Sequence, residues 1–267
     1  MKTTSLLSGK AIIITRAKSQ ESSTRKSLES LGARVLDLPS IVIGSPDEWG
    51  PLDDALLELD SFHWLIFSSS NGVEALETRL GLQGKSLSSR PNTLKIAAVG
   101  RKTANCLEDV GIKADFIPPN FVADSLIDNF PGPVYGLKML IPRVQTGGRT
   151  LLKQAFGEAG ARVVEVAAYE SRCPENIPEI TSNALMNQEV DIITFTSSKT
   201  VINTVKLMNK AFGNTWHQKL DNVKIISIGP QTSKTCEKYF FRVDEEAIPH
   251  DIDGLIKACI KSLKSES

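Results

Sequence analysis

The chain repeats itself at a spacing of 128 residues, and that repeat constrains the fold more than any other feature. Lys10-Ala-Ile-Ile-Ile-Thr-Arg16, a polar helical stretch and Leu31-Gly-Ala-Arg-Val35 return as Lys138-Met-Leu-Ile-Pro-Arg143, another helical stretch and Ala159-Gly-Ala-Arg-Val163. Leu65-Ile-Phe-Ser-Ser69 returns as Ile193-Thr-Phe-Thr-Ser197, and Lys95-Ile-Ala-Ala-Val-Gly100 as Lys224-Ile-Ile-Ser-Ile-Gly229. The offset is 128 at Lys10/Lys138, Gly32/Gly160 and Phe67/Phe195, and 129 at Gly100/Gly229. Blocks recurring in one order at one spacing imply an internal duplication of an α/β unit.

Each block has the same physical grammar. A short β-branched run (Ile12 to Ile14, Leu65 to Phe67, Ile96 to Val99) reads as a strand buried on both faces. Small or hydroxylated residues follow at once and then a helical pattern, as in Ser68-Ser-Ser-Asn-Gly72 leading into Val73 to Leu80. Gly32, Gly111 and Gly160 stand where helices should stop. Strands alternating with helices imply parallel sheets with right-handed crossovers. Two extended segments, Leu38 to Ile43 and Val166 to Arg172, each lead toward a proline, at Pro46 and Pro174. They are either connections between lobes or the second strand of each sheet.

Composition narrows the function classes. With 267 residues and 41% apolar content, the chain has material for one large or two ordinary cores. Thirty-one Lys and Arg balance 31 Asp and Glu, without the basic excess of a general nucleic-acid binder. No apolar run approaches the roughly 18 residues of a membrane span, and Met1 to Gly9 lacks the apolar core of a secretory signal. Cys106, Cys173, Cys236 and Cys259 are far apart, as thiols in a reducing compartment would be. The histidines His63, His217 and His250 show no metal-ligand spacing, so no metal is expected.

Doubly wound sheets bind ligands at the carboxyl ends of their strands, beside helix N-termini. Four hydroxyl-rich or glycine turns stand there: Ser68 to Gly72, Gly100 to Thr103, Thr196 to Thr200 and Gly229 to Thr232. Hydroxyls and free backbone N–H groups at a helix start suit a carboxylate or phosphate. Any one of these turns alone is accounted for as an N-cap, which Ser and Thr make well; four of them point to an anion-binding role. Arg16, Arg143 and Arg149 are cationic candidates at strand ends or helix starts, each also explicable as a surface ion pair. Lys102 and Lys199 lie in the same turns. No G-x-G-x-x-G, P-loop or G-x-S-x-G is present, so dinucleotide binding and nucleophilic hydrolysis are not expected.

Taken in order, Ile-Thr-Arg16, Phe-Ser-Ser-Ser-Asn-Gly72, Val-Gly-Arg-Lys-Thr103, Gly-Gly-Arg149, Gly-Ala-Arg-Val-Val-Glu-Val-Ala-Ala-Tyr169, Phe-Thr-Ser-Ser198 and Ile-Gly-Pro-Gln-Thr232 resemble the uroporphyrinogen-III synthase family. The likeness runs from Lys10 to Leu263. It implies an α/β fold of two flavodoxin-like parallel-sheet lobes joined by a two-stranded connector. Residues 1–41 with 173–267 would form one lobe and 42–172 the other, with connectors near 38–43 and 166–173. It also implies a cofactor-free and metal-free lyase that dehydrates and cyclises hydroxymethylbilane, a linear tetrapyrrole with many carboxylates, inverting the last pyrrole ring. Uncatalysed closure gives the symmetrical type-I isomer, so holding the substrate folded matters as much as acid catalysis.

By the same resemblance Tyr169 is the candidate acid, with packing at a strand end as the plainer account. Thr103 and Thr232 match the family's Gly-x-x-Thr turns, following Gly100 and Gly229. Ser68, Ser69, Asn71, Thr196, Ser197 and Ser198 are expected to meet substrate carboxylates, with Arg16 and Arg149 as cationic partners. Gln231 stands where threonine is common, which argues against a side-chain role there. The implied setting is a cytoplasmic monomer, or a processed form in the plastid stroma. Beyond its small-molecule substrate it would touch at most the preceding pathway enzyme, with neither nucleic acid nor membrane as partner. A non-catalytic two-lobed small-molecule-binding protein is the competing assignment; a nucleotide-dependent transferase is disfavoured by the missing phosphate motifs.

Overall fold

The apolar run Ala11–Ile14 forms strand β1, and all four residues are buried. The computed structural model, which describes residues 5–15, 22–148 and 150–264, shows why. Ile13 packs into a cluster with Leu36, Phe195 and Phe240. Its neighbours Ile12 and Ile14 point the opposite way, into a cluster with Leu28, Ile226 and Leu255. A strand covered on both faces has no polar side, so the sequence reads as an unbroken apolar run.

The chain divides into two units, Met1–Val42 with Arg172–Ser267, and Ile43–Ser171. In the first, β1 lies between β2 (Arg34–Asp37) and β8 (Ile192–Phe195), followed by β9 (Lys224–Ser227) and β10 (Glu245–Glu246). Every adjacent pair is parallel. Counted in chain order within the unit, the arrangement is that of the flavodoxin-like sheet. Helices α1 (Ser22–Ser30) and α10 (Ile252–Lys264) cover one face. Helices α7 (Glu179–Met186), α8 (Ser198–Phe212) and α9 (Pro230–Phe240) cover the other.

The second unit has the sheet order β3 (Val42–Gly44), β7 (Arg162–Arg172), β6 (Lys138–Val144), β4 (Trp64–Phe67) and β5 (Lys95–Ala98). The pairs β4/β5, β4/β6 and β6/β7 are parallel. Here the edge strand at the β7 side comes from the start of the unit. Leu65, Phe67, Ile96 and Val166 pack under α2 (Gly50–Leu57), α3 (Ser70–Gly81) and α4 (Arg101–Asp109). Ile66, Met139 and Ile141 face α5 (Ala123–Asp128) and α6 (Leu151–Glu158). Phe130 joins that face, its ring centroid 4.8 Å from Trp64 and 5.0 Å from Phe156. Each fully buried side chain of this size contributes about 1.5–3 kcal/mol.

The two extended segments behave differently. Val166 to Arg172 continues β7, paired with β6 as far as Tyr169. The earlier segment breaks after β2, and its end, β3, joins the other sheet beside β7. Helix α1 stops at Gly32 and α6 at Gly160, with φ +89° and +88°. A Cβ at Gly32 would lie 2.0 Å from Ser5 Oγ, and one at Gly160 2.5 Å from the Tyr135 ring. Both positions therefore favour glycine by conformation, and a Cβ at either would also have to push the neighbouring side chain aside. Among the described residues no helix is long and apolar enough to cross a membrane.

Candidate functional site

In the second unit, β4 ends at Phe67 and the next residues turn into α3. Ser69 is the N-cap, its Oγ accepting the Asn71 N–H at 3.2 Å. A Cβ on Gly72 would stand 3.3 Å from the Pro142 carbonyl, so glycine lets α3 pass close over β6. The neighbouring strand β5 leads through Val99 to Gly100, the N-cap of α4, which has no side chain to satisfy the helix start. Thr103 is buried in the first turn of α4.

Strand β7 carries Glu165 and Tyr169 toward this end of the sheet. Its register with β6 runs evenly from Lys138/Arg162 to Arg143/Ala167 and then skips a residue, so Val144 faces Tyr169. This β-bulge places Ala168 and Tyr169 in the same apolar cluster, although consecutive strand residues normally face opposite ways. The bulge thus re-aims Tyr169. Its carbonyl accepts the Gln145 N–H at 2.8 Å. Gln145 in turn clamps the segment after β3, its Oε1 accepting the Asp47 N–H at 2.7 Å.

Tyr169 borders two cavities. One, of about 240 Å³, is lined by Ser68, Val99, Arg143, Gly148, Glu165 and Tyr169, among others. The second, of about 290 Å³, lies against Ile43, Trp49, Asn71, Glu74 and Ala168. The tyrosine residue is only 8% exposed, and among the described residues no partner takes a hydrogen bond from its hydroxyl. In the first cavity Arg143 Nη1 donates to Glu165 Oε2 at 2.8 Å, with the two side chains 17% and 10% exposed. The wall of the second is fixed by Arg79, which lies 4.7 Å over the Trp49 ring and pairs with Asp53. That hydrogen bond holds the Asp53 carboxyl below its ordinary range.

The first unit repeats the geometry without the tyrosine. Thr196 and Ser197 follow β8, and Ser197 caps α8 in a capping box. Its Oγ accepts the Thr200 N–H, and Thr200 Oγ1 accepts the Ser197 N–H, each at 3.3 Å. Ser198 Oγ donates to the Gln231 carbonyl at 3.0 Å and accepts from Thr235 Oγ1 at 2.8 Å, tying the starts of α8 and α9 together. Gly229 is the N-cap of α9, Pro230 follows it, and Thr232 is buried in the first turn.

The expected site residues therefore fall into two sets: Ser68, Ser69, Asn71, Gly100, Thr103 and Tyr169 in one unit, and Thr196, Ser197, Ser198, Gly229 and Thr232 in the other. Arg16 and Arg149 lie outside the described residues. Glu165, Gln145 and Gly148 were not anticipated. Glu165 had a signal, being an acid inside the apolar strand run Val163 to Ala168. Gln145 had none, because it acts through its backbone and an amide clamp.

The family model for uroporphyrinogen-III synthase HemD matches residues 22–257. A uroporphyrinogen-III synthase of Synechococcus elongatus is 48% identical over 252 residues, spanning 94% of this chain and 95% of that protein. Among solved structures, the uroporphyrinogen-III synthetase of Helicobacter pylori superposes with a TM-score of 0.60 at 17% identity, over 94% of this chain and 99% of that one. A mutant uroporphyrinogen III synthase of Thermus thermophilus gives 0.59 at 18% identity, over 96% and 99%. Those two likenesses bear on the fold alone. Taken with the family match over most of its length, the chain belongs to the uroporphyrinogen-III synthase family.

Proposed function

We infer that the chain is a lyase of tetrapyrrole biosynthesis that dehydrates hydroxymethylbilane and closes it to uroporphyrinogen III. Loss of the terminal hydroxyl leaves an azafulvene cation, and attack on it by the far ring, through a spiro-pyrrolenine, sets the inverted closure. The enzyme must help hydroxide to leave and keep the chain folded while the bonds rearrange. The observation that carries the catalytic assignment is Tyr169, which borders two cavities and whose hydroxyl has no hydrogen-bond partner among the described residues. A neutral phenol, with an ordinary pKa of about 10, donates a hydrogen bond to a departing hydroxyl at neutral pH.

The remaining positioning falls to helix starts. Ser68, Ser69, Asn71, Gly100 and Thr103 in one unit, and Thr196, Ser197, Ser198, Gly229 and Thr232 in the other, offer hydroxyl and main-chain donors to acetate and propionate groups. Arg16 and Arg149 add charge. We place the enzyme in the cytoplasm, or the plastid stroma of a processed form, acting as a monomer that meets the preceding enzyme transiently. The test is Tyr169→Phe, assayed with freshly made hydroxymethylbilane, with the oxidised product resolved into type-I and type-III isomers. An about tenfold fall in kcat with type III still enriched is expected for one lost hydrogen bond to a transition state. Unchanged turnover would leave Tyr169 with packing alone, and no type III from the unaltered protein would sink the activity itself.

A further inference from the structure

The ion pair in the Tyr169 cavity is buried more deeply than any surface pair needs to be. Arg143 and Glu165 are 17% and 10% exposed, joined at 2.8 Å. A pair this deep gives up hydration that its attraction barely recovers, so stability alone does not explain it. The register sets its geometry: Glu165 lies opposite Ile141 on β6, two positions before Arg143, so the pair is a diagonal cross-strand contact. The guanidinium also lies close beside Gly148. A Cβ there would lie 2.4 Å from Nη2 and 2.9 Å from both Cζ and Nε. Glycine at that position is what lets the guanidinium lie close against the turn before α6.

The guanidinium is therefore held by a carboxylate and lies close beside main chain. It has five N–H donors, and among the described residues only Nη1 has a hydrogen-bond partner, Glu165. Arg143, Glu165 and Gly148 all border the cavity shared with Ser68 and Tyr169. Planar donors with no other partner beside a cavity suit a planar or tetrahedral oxyanion, and in the proposed substrate that group is a carboxylate. Glu165 also balances the cation's charge, so the pair supplies direction without strong net attraction.

We propose that Glu165 is a positioning residue that acts through Arg143, fixing its guanidinium against Gly148 so that the remaining N–H groups bind one substrate carboxylate beside Tyr169. The proposal rests on the synthase activity inferred above and names a determinant within that same site. The test compares the unaltered protein with Glu165→Leu, Glu165→Gln and Gly148→Ala, measuring KM and kcat for hydroxymethylbilane, product isomer ratio and melting temperature. Glu165→Leu releases the guanidinium, and KM rises about tenfold with kcat within about twofold, the scale of one misplaced charge-assisted hydrogen bond. Glu165→Gln keeps an oxygen for Nη1, so KM stays within about threefold of the unaltered value. Gly148→Ala leaves β7 untouched but pushes Nη2 aside, and KM rises as in Glu165→Leu. If Glu165→Leu does not fold, the contrast between Glu165→Gln and Gly148→Ala decides the matter. An unchanged KM in folded Gly148→Ala, or a Glu165→Gln defect as large as that of Gly148→Ala, overturns the proposal. Failure of the unaltered protein to enrich type III would instead overturn the activity on which it rests.

Discussion

Ser197 separates a capping role from a binding role in one experiment. Its Oγ accepts the Thr200 N–H and its own N–H is taken by Thr200 Oγ1, both at 3.3 Å. Bonds that long put the cap in the lower part of the usual range, so Ser197→Ala should cost about 0.5–1 kcal/mol. At about 2–4 °C per kcal/mol for a chain of this size, the first unit should melt roughly 1–4 °C lower. KM should rise less than about threefold, because the free main-chain N–H groups of α8 remain. Ser197→Asp makes the opposite demand. Aspartate caps as well as serine and favours the helix dipole, so stability should hold within about 0.5 kcal/mol. A substrate carboxylate seated at the same helix start would then meet a like charge at about 4–6 Å, worth roughly 1–4 kcal/mol at effective dielectrics between 20 and 80. KM for hydroxymethylbilane should rise about tenfold or more, and the rise should shrink in 1 M salt, where the Debye length is about 3 Å. The assay is a thermal melt beside a KM titration at low and high salt. A stable Ser197→Asp protein with unchanged KM refutes the assignment of a substrate carboxylate to this turn.

Other expectations rest on packing and charge. Phe67→Ala removes a fully buried ring from the core under α3; it should cost about 3–5 kcal/mol in denaturant unfolding. Asp53 is hydrogen-bonded to Arg79, which lowers its carboxyl pKa in the folded state. A lowered folded pKa gives stability that is present above the unfolded value and lost as pH falls through the folded one. Acid melts of Asp53→Asn should therefore lose less stability below about pH 4 than the unaltered protein, a small effect for so exposed a pair. Burial pushes the Cys236 and Cys259 thiols up to about 12. Mass spectrometry after iodoacetamide at pH 8 should find both unlabelled in the native protein and labelled once it is unfolded.

How much of this was legible beforehand follows from where each signal lives. The strands Ala11–Ile14, Trp64–Phe67 and Ile192–Phe195 show in sequence because both faces of each are covered. Gly32 and Gly160 show because few residues tolerate their φ. The serine turns show as helix starts, and the structure gives Ser69 and Ser197 that capping work. The bulge at Ala168 does not show, because Val-Ala-Ala-Tyr has no feature that distinguishes a skipped pairing from a regular one. The Arg143–Glu165 pair is equally hidden. Its partners lie 22 residues apart on neighbouring strands, and only the register brings them together. Strand β10 has its counterpart at Phe116, whose bridge to Ala97 matches that of Glu245 to Ile226, and Asp115 and Asp244 accept the Ile96 and Ile225 N–H groups alike.

The same spacing shows how similar scaffolds come to differ in chemistry. At the positions 128 residues before Arg143, Glu165 and Tyr169 stand Thr15, Asp37 and Ile41. Thr15 is buried, its Oγ1 donating to the Thr194 carbonyl at 2.7 Å. Asp37 keeps an arginine partner, but Arg25 comes from α1, and the same guanidinium also pairs with Glu29. That arginine has its charge satisfied twice over and little left for a ligand. Ile41 supplies no hydroxyl at all. Among the described residues the first unit thus has comparable helix starts but no tyrosine at the position matching Tyr169. A chain with zero net charge can hold a polyanion on such terms, because helix starts lend partial positive charge that no residue count includes. Charge-changing substitutions on the exposed faces of either unit should then alter substrate affinity far less than displacing a single helix start by one aspartate.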